Sequence, residues 1–187
     1  MSDDAQRADP LLEAAAADRG GRVWDYDGTK GTEREVSELI AAIVSAVKPE
    51  VVVETGTFMG HTTHVIAAAL ESNGRGHLHT VENDSGLVEQ LRTRLPERVT
   101  LHEADSTEWC ARFAGPVDLA FVDSGPGRVR LGDVGALWPK IAPGGYLMVH
   151  DTIYYKRLFA LVSDLVGVNG IDIRSLLGLG IWQKPLR

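Results

Sequence analysis

Residues 51–63 read VVVETGTFMGHTT, a short β-branched run that leads through two glycines into a segment of helix length. Consecutive apolar residues are typical of a strand that is buried on both faces. Gly56 and Gly60 permit a tight turn and a close approach of the backbone to a ligand. A helix that begins after such a turn presents free amide groups, which suit a carboxylate or a phosphate. The stretch therefore predicts a strand, a ligand-binding loop and a helix in succession.

The same alternation of patterns continues toward the C-terminus. Strand-like runs at 51–54, 78–82, 99–102, 117–123 and 146–150 alternate with helix-length segments at 62–71, 86–95, 106–113, 131–141 and 154–165. Two last runs, 171–175 and 180–183, follow each other without a helix and predict a hairpin. The pattern predicts an α/β fold: a doubly wound, Rossmann-like, seven-stranded sheet, mostly parallel with a C-terminal antiparallel hairpin, with helices on both faces.

The N-terminal part has a different composition. Residues 1–32 are predicted to form a short helix (10–17) and a lid loop rich in glycine and basic residues, and residues 33–187 to form the main domain. Thr32, Glu33 and Glu35 precede an apolar series with helical spacing, which predicts a capped amphipathic helix that ends near Lys48.

Composition favours one water-soluble domain. The chain has 187 residues, 44% of them hydrophobic, and a net charge of −7. Proteins that bind nucleic acid usually carry a basic footprint, so neither nucleic acid nor an anionic membrane is expected as a partner. The N-terminus has no signal-peptide pattern, no apolar run approaches the ~18 residues of a membrane helix, and Cys110 is the single cysteine. We expect a cytoplasmic location.

Polar residues follow the strand runs, where such sheets bind their ligands. Glu54 stands in an E-x-G-x-x-x-G pattern, which differs from the G-x-G-x-x-G of a dehydrogenase and favours a cationic ligand. Glu82 and Asn83 end the second run, where a carboxylate is placed to bind a ribose diol. Asp105 or Ser106 is expected to cap the next helix and can also reach an adenine amino group.

The fourth and fifth runs end in Asp123 and in His150-Asp151. Two carboxylates with an imidazole are a ligand set for a divalent cation. His150 as a general base is one alternative. The other is structural: Asp151 caps a helix that starts near Tyr154, and His150 packs beneath it.

Together these motifs resemble the class I S-adenosylmethionine (SAM)-dependent methyltransferases. They are most similar to the small O-methyltransferases of the catechol, caffeoyl-CoA and macrolide-sugar groups. The resemblance rests on VVVETGTFMGHTT, on DGTKG at 27–31, on LHTVEND at 78–84, on FVD at 121–123 and on APGGYLMVHDT at 142–152. It covers residues 28–183.

The resemblance implies SAM as cofactor, with Mg²⁺ or another divalent cation as a second. The residues that would surround SAM are Glu54, Gly56, Thr57, Phe58, Gly60, Thr62, Glu82, Asn83, Asp105, Ser106, Asp123 and Arg128. The metal ligands would be Asp123, His150 and Asp151, and the catalytic residues His150, Asp151 and Arg128. One departure is Pro126, which stands where catechol-type enzymes have a catalytic lysine. Another is His150 itself, which replaces a carboxylate that magnesium would prefer.

The activity expected from this resemblance is methyl transfer to a hydroxyl of a small molecule, such as a phenol or a sugar. Trp24, Tyr26, Tyr154 and Tyr155 are candidate walls of the acceptor site. The sequence predicts no large cap domain, so a second subunit would complete the pocket and a homodimer is expected. Two other hypotheses are a SAM-binding module without activity and an NAD-dependent oxidoreductase.

Overall fold

The computed structural model describes residues 31–187, which form one seven-stranded sheet between two layers of helices. The strands are β1 (Val51–Thr55), β2 (His77–Glu82), β3 (Val99–Glu103), β4 (Val117–Val122), β5 (Ile141–His150), β6 (Ile171–Ile173) and β7 (Leu179–Gln183). The helices are α1 (Arg34–Val47), α2 (His61–Asn73), α3 (Ser85–Leu91), α4 (Ser106–Arg112), α5 (Gly127–Leu137) and α6 (Leu158–Val166), with a 3₁₀ turn at Trp138–Lys140. The predicted helix at 10–17 lies outside the described residues.

The strand order is β3-β2-β1-β4-β5-β7-β6. Strands β1 to β5 are parallel, while β7 pairs antiparallel with β5 and β6 antiparallel with β7. The prediction of a doubly wound sheet with a C-terminal hairpin is confirmed. The order reverses between β1 and β4, and in such sheets this is where a crevice opens beyond the strand ends.

Alternating side chains of β4 build a core on each face of the sheet. Leu119 and Phe121 pack with α1 and α2, whereas Ala120 and Val122 pack with α4, α5 and α6. Because both faces are covered, the central strands β1 and β4 contain the apolar runs 51–53 and 119–122, and polar side chains follow at their carboxyl ends.

Two helices start elsewhere than the sequence predicted. Helix α5 begins at Gly127 rather than Leu131, and α6 begins at Leu158 rather than Tyr154. Thr32 does not cap α1 with its hydroxyl but donates a hydrogen bond to Asp123 Oδ2 at 3.0 Å. No helix within residues 31–187 combines the length and the apolar character that a membrane-spanning segment requires.

Candidate active site

A cavity of about 560 Å³ opens at the carboxyl ends of the parallel strands. Its wall includes Gly56 to Met59 after β1, Val81 to Asn83 at the end of β2, Ala104 to Ser106 after β3, Asp123 to Pro126 after β4, and Asp151, Tyr154 and Tyr155 after β5. Its volume is that of a small-molecule site. The tips of five successive strands therefore meet at one cavity.

The loop after β1 runs tightly against β4. Gly56 has a φ of +86°, and a Cβ built on it would lie 2.7 Å from the backbone oxygen of Asp123. Phe58, at a φ of 49°, donates its backbone N–H to Glu82 Oε2 at 2.8 Å. Glycine is thus required at position 56 both for the backbone angle and for the close approach of two chains.

Glu54 lies beneath this loop rather than in the cavity wall. Its side chain is fully buried, and its Oε2 accepts hydrogen bonds from Thr63 at 2.6 Å and Thr80 at 2.7 Å. Thr57 contacts Thr80 through the two hydroxyls at 2.6 Å. Burial raises the pKa of Glu54 to about 7. Direct contact of Glu54 with a cofactor is therefore not supported, because the carboxylate holds the loop from below.

Glu82 lies in the cavity wall, as predicted for the ribose-binding carboxylate. Its Oε2 accepts from the backbone of Phe58, and its Oε1 accepts from the backbones of Asn83 and Asp84 at 2.9 Å. A carboxylate has about four acceptor positions, and the loop uses three. One position remains for a hydroxyl in the cavity.

The ends of β3 and β4 are held together by a buried carboxylate that sequence reasoning missed. Asp133 accepts hydrogen bonds from the hydroxyls of Ser106 at 3.1 Å, Thr107 at 2.6 Å and Ser124. Asp105 caps α4 by accepting from the backbone of Glu108 at 2.9 Å, so its predicted capping role is confirmed. Asp105 and Ser106 also line the cavity.

His150 is fully buried between carboxylates. Its Nε2 lies 2.6 Å from Glu33 Oε2, and its Nδ1 lies 3.1 Å from Asp123 Oδ1. Both contacts are satisfied as hydrogen bonds when each ring nitrogen carries a proton, because an ionised carboxylate only accepts. Burial alone would lower the pKa of His150, but Asp123, Asp151 and Glu33 raise it well above its usual value. A histidine that holds both protons has no lone pair to offer, so these contacts do not support the prediction of His150 as general base.

Glu33 also went unnoticed as a site residue. Its carboxylate is fully buried and accepts a second hydrogen bond, from the backbone of Leu177 at 2.7 Å. Burial would raise the pKa of Glu33, but the hydrogen bond and the charge of His150 outweigh it, and the pKa is lowered. Glu33 thereby links the start of α1 to the end of β5 and to the chain before β7.

The arginine that reaches the site is Arg130, not Arg128. Arg128 is exposed and, within the described residues, lies outside the cavity wall. Arg130 is buried, and its Nη2 donates to Asp123 Oδ1 and to Asp151 Oδ2 at 2.7 Å each. A helix turns about 100° per residue, so positions 128 and 130 of α5 face different ways. The role that the resemblance implied for Arg128 therefore has no support from these contacts.

The predicted metal ligands do come together. Side-chain atoms of Asp123, His150 and Asp151 lie within 4.8 Å of one another, the one such cluster among residues 31–187. This donor set does not fit Mg²⁺, because the guanidinium of Arg130 already bridges the two carboxylates and the third ligand would be a nitrogen, whereas Mg²⁺ prefers oxygen. Burial would raise the pKa of Asp123, but His150 and Arg130 lower it to about 2.

Asp151 faces the cavity. Its backbone has a φ of 62°, and α6 starts seven residues later, so the predicted cap of a helix near Tyr154 is not formed. Burial raises the pKa of Asp151 above its usual value, although the charge of His150 opposes the shift. Tyr154 and Tyr155 line the same end of the cavity, and their rings meet edge to face at 4.9 Å.

The remaining predicted residues divide into those that line the cavity, one that shapes the loop, and those outside the described residues. Phe58, Met59 and Thr62 line the cavity, and so do Gly31 and Thr32. Gly60 serves as the left-handed N-cap of α2, with a φ of 80°. Trp24, Tyr26 and most of the 27–31 lid segment lie outside the described residues.

Comparison with known proteins decides the family. Residues 53–152, more than half of the chain, match the model of a methyltransferase-domain family. The chain belongs to this family. The matched region of the methyltransferase runs from within β1 to the residue after Asp151, and so includes the carboxyl ends of all five parallel strands.

One curated relative of the methyltransferase is the ribosomal RNA small subunit methyltransferase A of Aromatoleum aromaticum. The two are 39% identical over 75 residues, which is 38% of this chain and 26% of the relative. The methyltransferase thus spans about a quarter of the length of that protein.

Solved structures share the fold at low identity. The O-methyltransferase TomG of Streptomyces achromogenes, in complex with SAM, has a TM-score of 0.71 at 17% identity, with 96% of this chain and 91% of TomG covered. The S-adenosylhomocysteine (SAH)-bound methyltransferase PaMTH1 of Podospora anserina has a TM-score of 0.70 at 13% identity and 94% and 88% coverage. CalS10 of Micromonospora echinaspora, a SAM-bound amino pentose methyltransferase, has a TM-score of 0.61 at 15% identity and 93% and 96% coverage.

Proposed function

We propose that this methyltransferase uses SAM to methylate a hydroxyl group of a small molecule. The observation that carries the proposal is the cavity wall: a carboxylate with one acceptor position left, Glu82, lies beside a glycine loop and a helix N-terminus at the strand-order reversal. That arrangement suits a nucleoside with a charged amino-acid tail. TomG, which shares the fold, is an O-methyltransferase solved with SAM.

Different residues of the cavity wall would bind different parts of SAM. Glu82 would bind the ribose diol through its one remaining acceptor position, and Asp105 with Ser106 would border the adenine. The loop from Gly56 to Met59 would enclose the methionine part. Thr62, in the first turn of α2, would lie near its carboxylate, where free helix amides favour an anion. When bound, SAM supplies a methyl group activated by the positive charge on sulfur.

Asp151 is the group that we assign to the acceptor's proton. It lines the cavity beside Tyr154 and Tyr155, and its raised pKa brings it closer to the operating pH, which favours a general base. The carboxylate would accept the hydroxyl proton while the hydroxyl oxygen gains the methyl group. The two tyrosines would orient an aromatic or sugar acceptor and exclude water from the reacting atoms.

Release of SAH tests the proposal. A panel of phenols and sugars is offered to the wild type, to Asp151→Asn and to the exposed control Asp164→Asn. With an accepted substrate, we expect Asp151→Asn to lower kcat by about 10²–10⁴ while its SAM affinity stays within about threefold. Asp164→Asn should resemble the wild type. Equal turnover by Asp151→Asn would remove the assignment of the base.

Ribosomal RNA is a second candidate acceptor, since a curated relative is a ribosomal RNA methyltransferase. The net charge of −7 opposes it, because RNA binding draws on a basic surface. A ribosomal RNA fragment therefore belongs in the acceptor panel. SAM binding without SAH release from any acceptor would favour the inactive module instead.

We further propose a cytoplasmic location and a homodimer. Residues 31–187 hold no inserted domain above the cavity, so a second subunit would help to enclose an acceptor. Light scattering at a micromolar protein concentration measures the molar mass and hence the oligomeric state. A monomeric mass with full turnover would overturn the dimer.

A further inference from the structure

The residue types of the cluster of Asp123, His150 and Asp151 suit a metal ion, but the contacts of these residues do not. Two carboxylates and an imidazole at adjacent strand ends form a familiar set of metal ligands. In the structure, however, a positively charged side chain from α5 already lies between the two carboxylates.

Arg130 is built into this position. Its Nη2 bridges Asp123 Oδ1 and Asp151 Oδ2, its Nη1 donates to the backbone oxygen of Gly125, and its guanidinium lies 5.0 Å above the ring centre of Tyr155. The side chain of Arg130 is 4% exposed, and those of the two aspartates are 13% and 14% exposed. A guanidinium keeps its proton in proteins, so this charge is permanent.

The local fold directs Arg130 inward. Gly125 adopts a φ of 42°, and Pro126 immediately precedes α5. Gly127, the first residue of the helix, packs against Tyr155, and a Cβ there would lie 3.2 Å from that ring. Arg130 then shares the buried face of α5 with Asp133, Val134 and Leu137.

The possible ligand atoms of the cluster already have partners within the protein. The guanidinium of Arg130 lies against one oxygen of Asp123 and one of Asp151, and the two ring nitrogens of His150 lie within hydrogen-bond distance of Asp123 and Glu33. Mg²⁺ needs near-octahedral oxygen ligands at 2.0–2.1 Å. Asp123 Oδ2 is also engaged, by the hydroxyl of Thr32 at 3.0 Å.

We propose that Arg130 is the resident cation of this site, that its guanidinium takes the place of a divalent metal between Asp123 and Asp151, and that the protein binds no metal there. Loss of the guanidinium would uncover two carboxylates at metal-binding distance. The inference goes beyond methyl transfer and does not depend on it.

Titration with Mn²⁺, followed by the electron paramagnetic resonance signal of the free ion, tests the proposal. Wild type, Arg130→Gln and Arg130→Met are compared without SAM or acceptor. Wild type should leave the free Mn²⁺ signal unchanged. Each variant should bind one Mn²⁺ ion with an affinity at least about tenfold above that of wild type, because the guanidinium that repels the ion has been removed. Arg130→Met keeps the apolar stem against Tyr155 and serves if Arg130→Gln does not fold.

Two results would overturn the proposal. One is stoichiometric Mn²⁺ binding by wild type that Asp151→Asn abolishes, since the arginine would then move aside for the metal. The other is a folded variant that binds no more Mn²⁺ than wild type, since the guanidinium would not be what excludes the ion. If neither variant folds, the wild-type titration alone tests the claim that the protein binds no metal at this site. Because no SAM is present, failure here differs from failure of the proposed methyl transfer.

Discussion

Replacement of Glu33 by alanine should destabilise the fold strongly, although Glu33 lies at the N-cap of α1, before the first apolar residue of that helix. The carboxylate is fully buried and accepts from His150 Nε2 at 2.6 Å and from the backbone of Leu177 at 2.7 Å. Its removal leaves a buried imidazolium without one partner and a backbone N–H without an acceptor. Breaking a buried ion pair costs about 3–5 kcal/mol, and we expect a loss of that size in the free energy of unfolding.

The loss should depend on pH in a way that identifies its cause. The pKa of His150 is raised above 6.5, so its stabilisation is complete below pH 6.5 and is lost as the pH rises above that value. The pKa of Glu33 is lowered below 4.5, so its stabilisation is present above pH 4.5 and is lost as the pH falls below it. The gap between wild type and Glu33→Ala should therefore be largest between these two values.

Urea unfolding followed by far-ultraviolet circular dichroism, at several pH values from 5 to 9, measures the gap. Glu38→Ala on the same helix is the matched control, because that carboxylate is 65% exposed and pairs only loosely with Arg34 at 3.4 Å. Its cost should stay below about 1 kcal/mol at every pH. Equal losses for the two variants, or a gap for Glu33→Ala that does not shrink above pH 6.5, would refute the buried network.

Three further predictions concern the loop, the ribose carboxylate and the histidines of β2 and β3. Gly56→Ala should weaken SAM binding at least about tenfold, because the new methyl group would lie 2.7 Å from the backbone oxygen of Asp123. Gly74→Ala, at a φ of 69° with open space around it, should leave SAM affinity unchanged in the same calorimetric titration. Glu82→Ala should lower SAM affinity by about one to two orders of magnitude through lost charge-assisted hydrogen bonds; an unaltered dissociation constant would remove the ribose assignment. Burial, with His102 and His77 nearby, lowers the pKa of His79 to about 4, so the free energy of unfolding should decrease as the pH falls from 6.5 toward 4. His79→Leu should lose this pH dependence, and a urea midpoint that depends on pH as strongly in His79→Leu as in wild type would contradict the prediction.

The sequence predicted the sheet well because its strands are short apolar runs bounded by glycine and polar residues. In a parallel sheet all strand ends point to one edge, so Glu82, Asp105, Asp123 and Asp151 could be assigned to one cavity without knowledge of any side-chain position. The hairpin followed from the absence of a helix pattern between 171 and 183.

Arg130 was missed as a site residue because the start of α5 was placed four residues too late. Once the helix begins at Gly127, the buried positions 130, 133, 134 and 137 follow the i, i+3, i+4, i+7 spacing of one helix face. That spacing was present in the sequence, but Arg130 and Asp133 are polar and broke the apolar pattern that was sought.

The partners of His150 depend on contacts across long stretches of chain. Glu33 lies 117 residues before His150 and meets it only because α1 packs beside the end of β5. His150 and Asp151 are adjacent in sequence, yet the left-handed backbone of Asp151 turns one toward the interior and the other toward the cavity. Local sequence patterns predict neither the contact of Glu33 with His150 nor the opposite directions of His150 and Asp151.

The central claim is that the polar strand ends bind SAM, and isothermal titration of the purified chain with SAM in the presence of a chelator tests it most directly. We expect one SAM per chain with a dissociation constant in about the micromolar range, weaker binding by Glu82→Ala, and no heat from NAD⁺ under the same conditions. A chain that folds but takes up no SAM, or one that binds NAD⁺ in its place, would contradict the account.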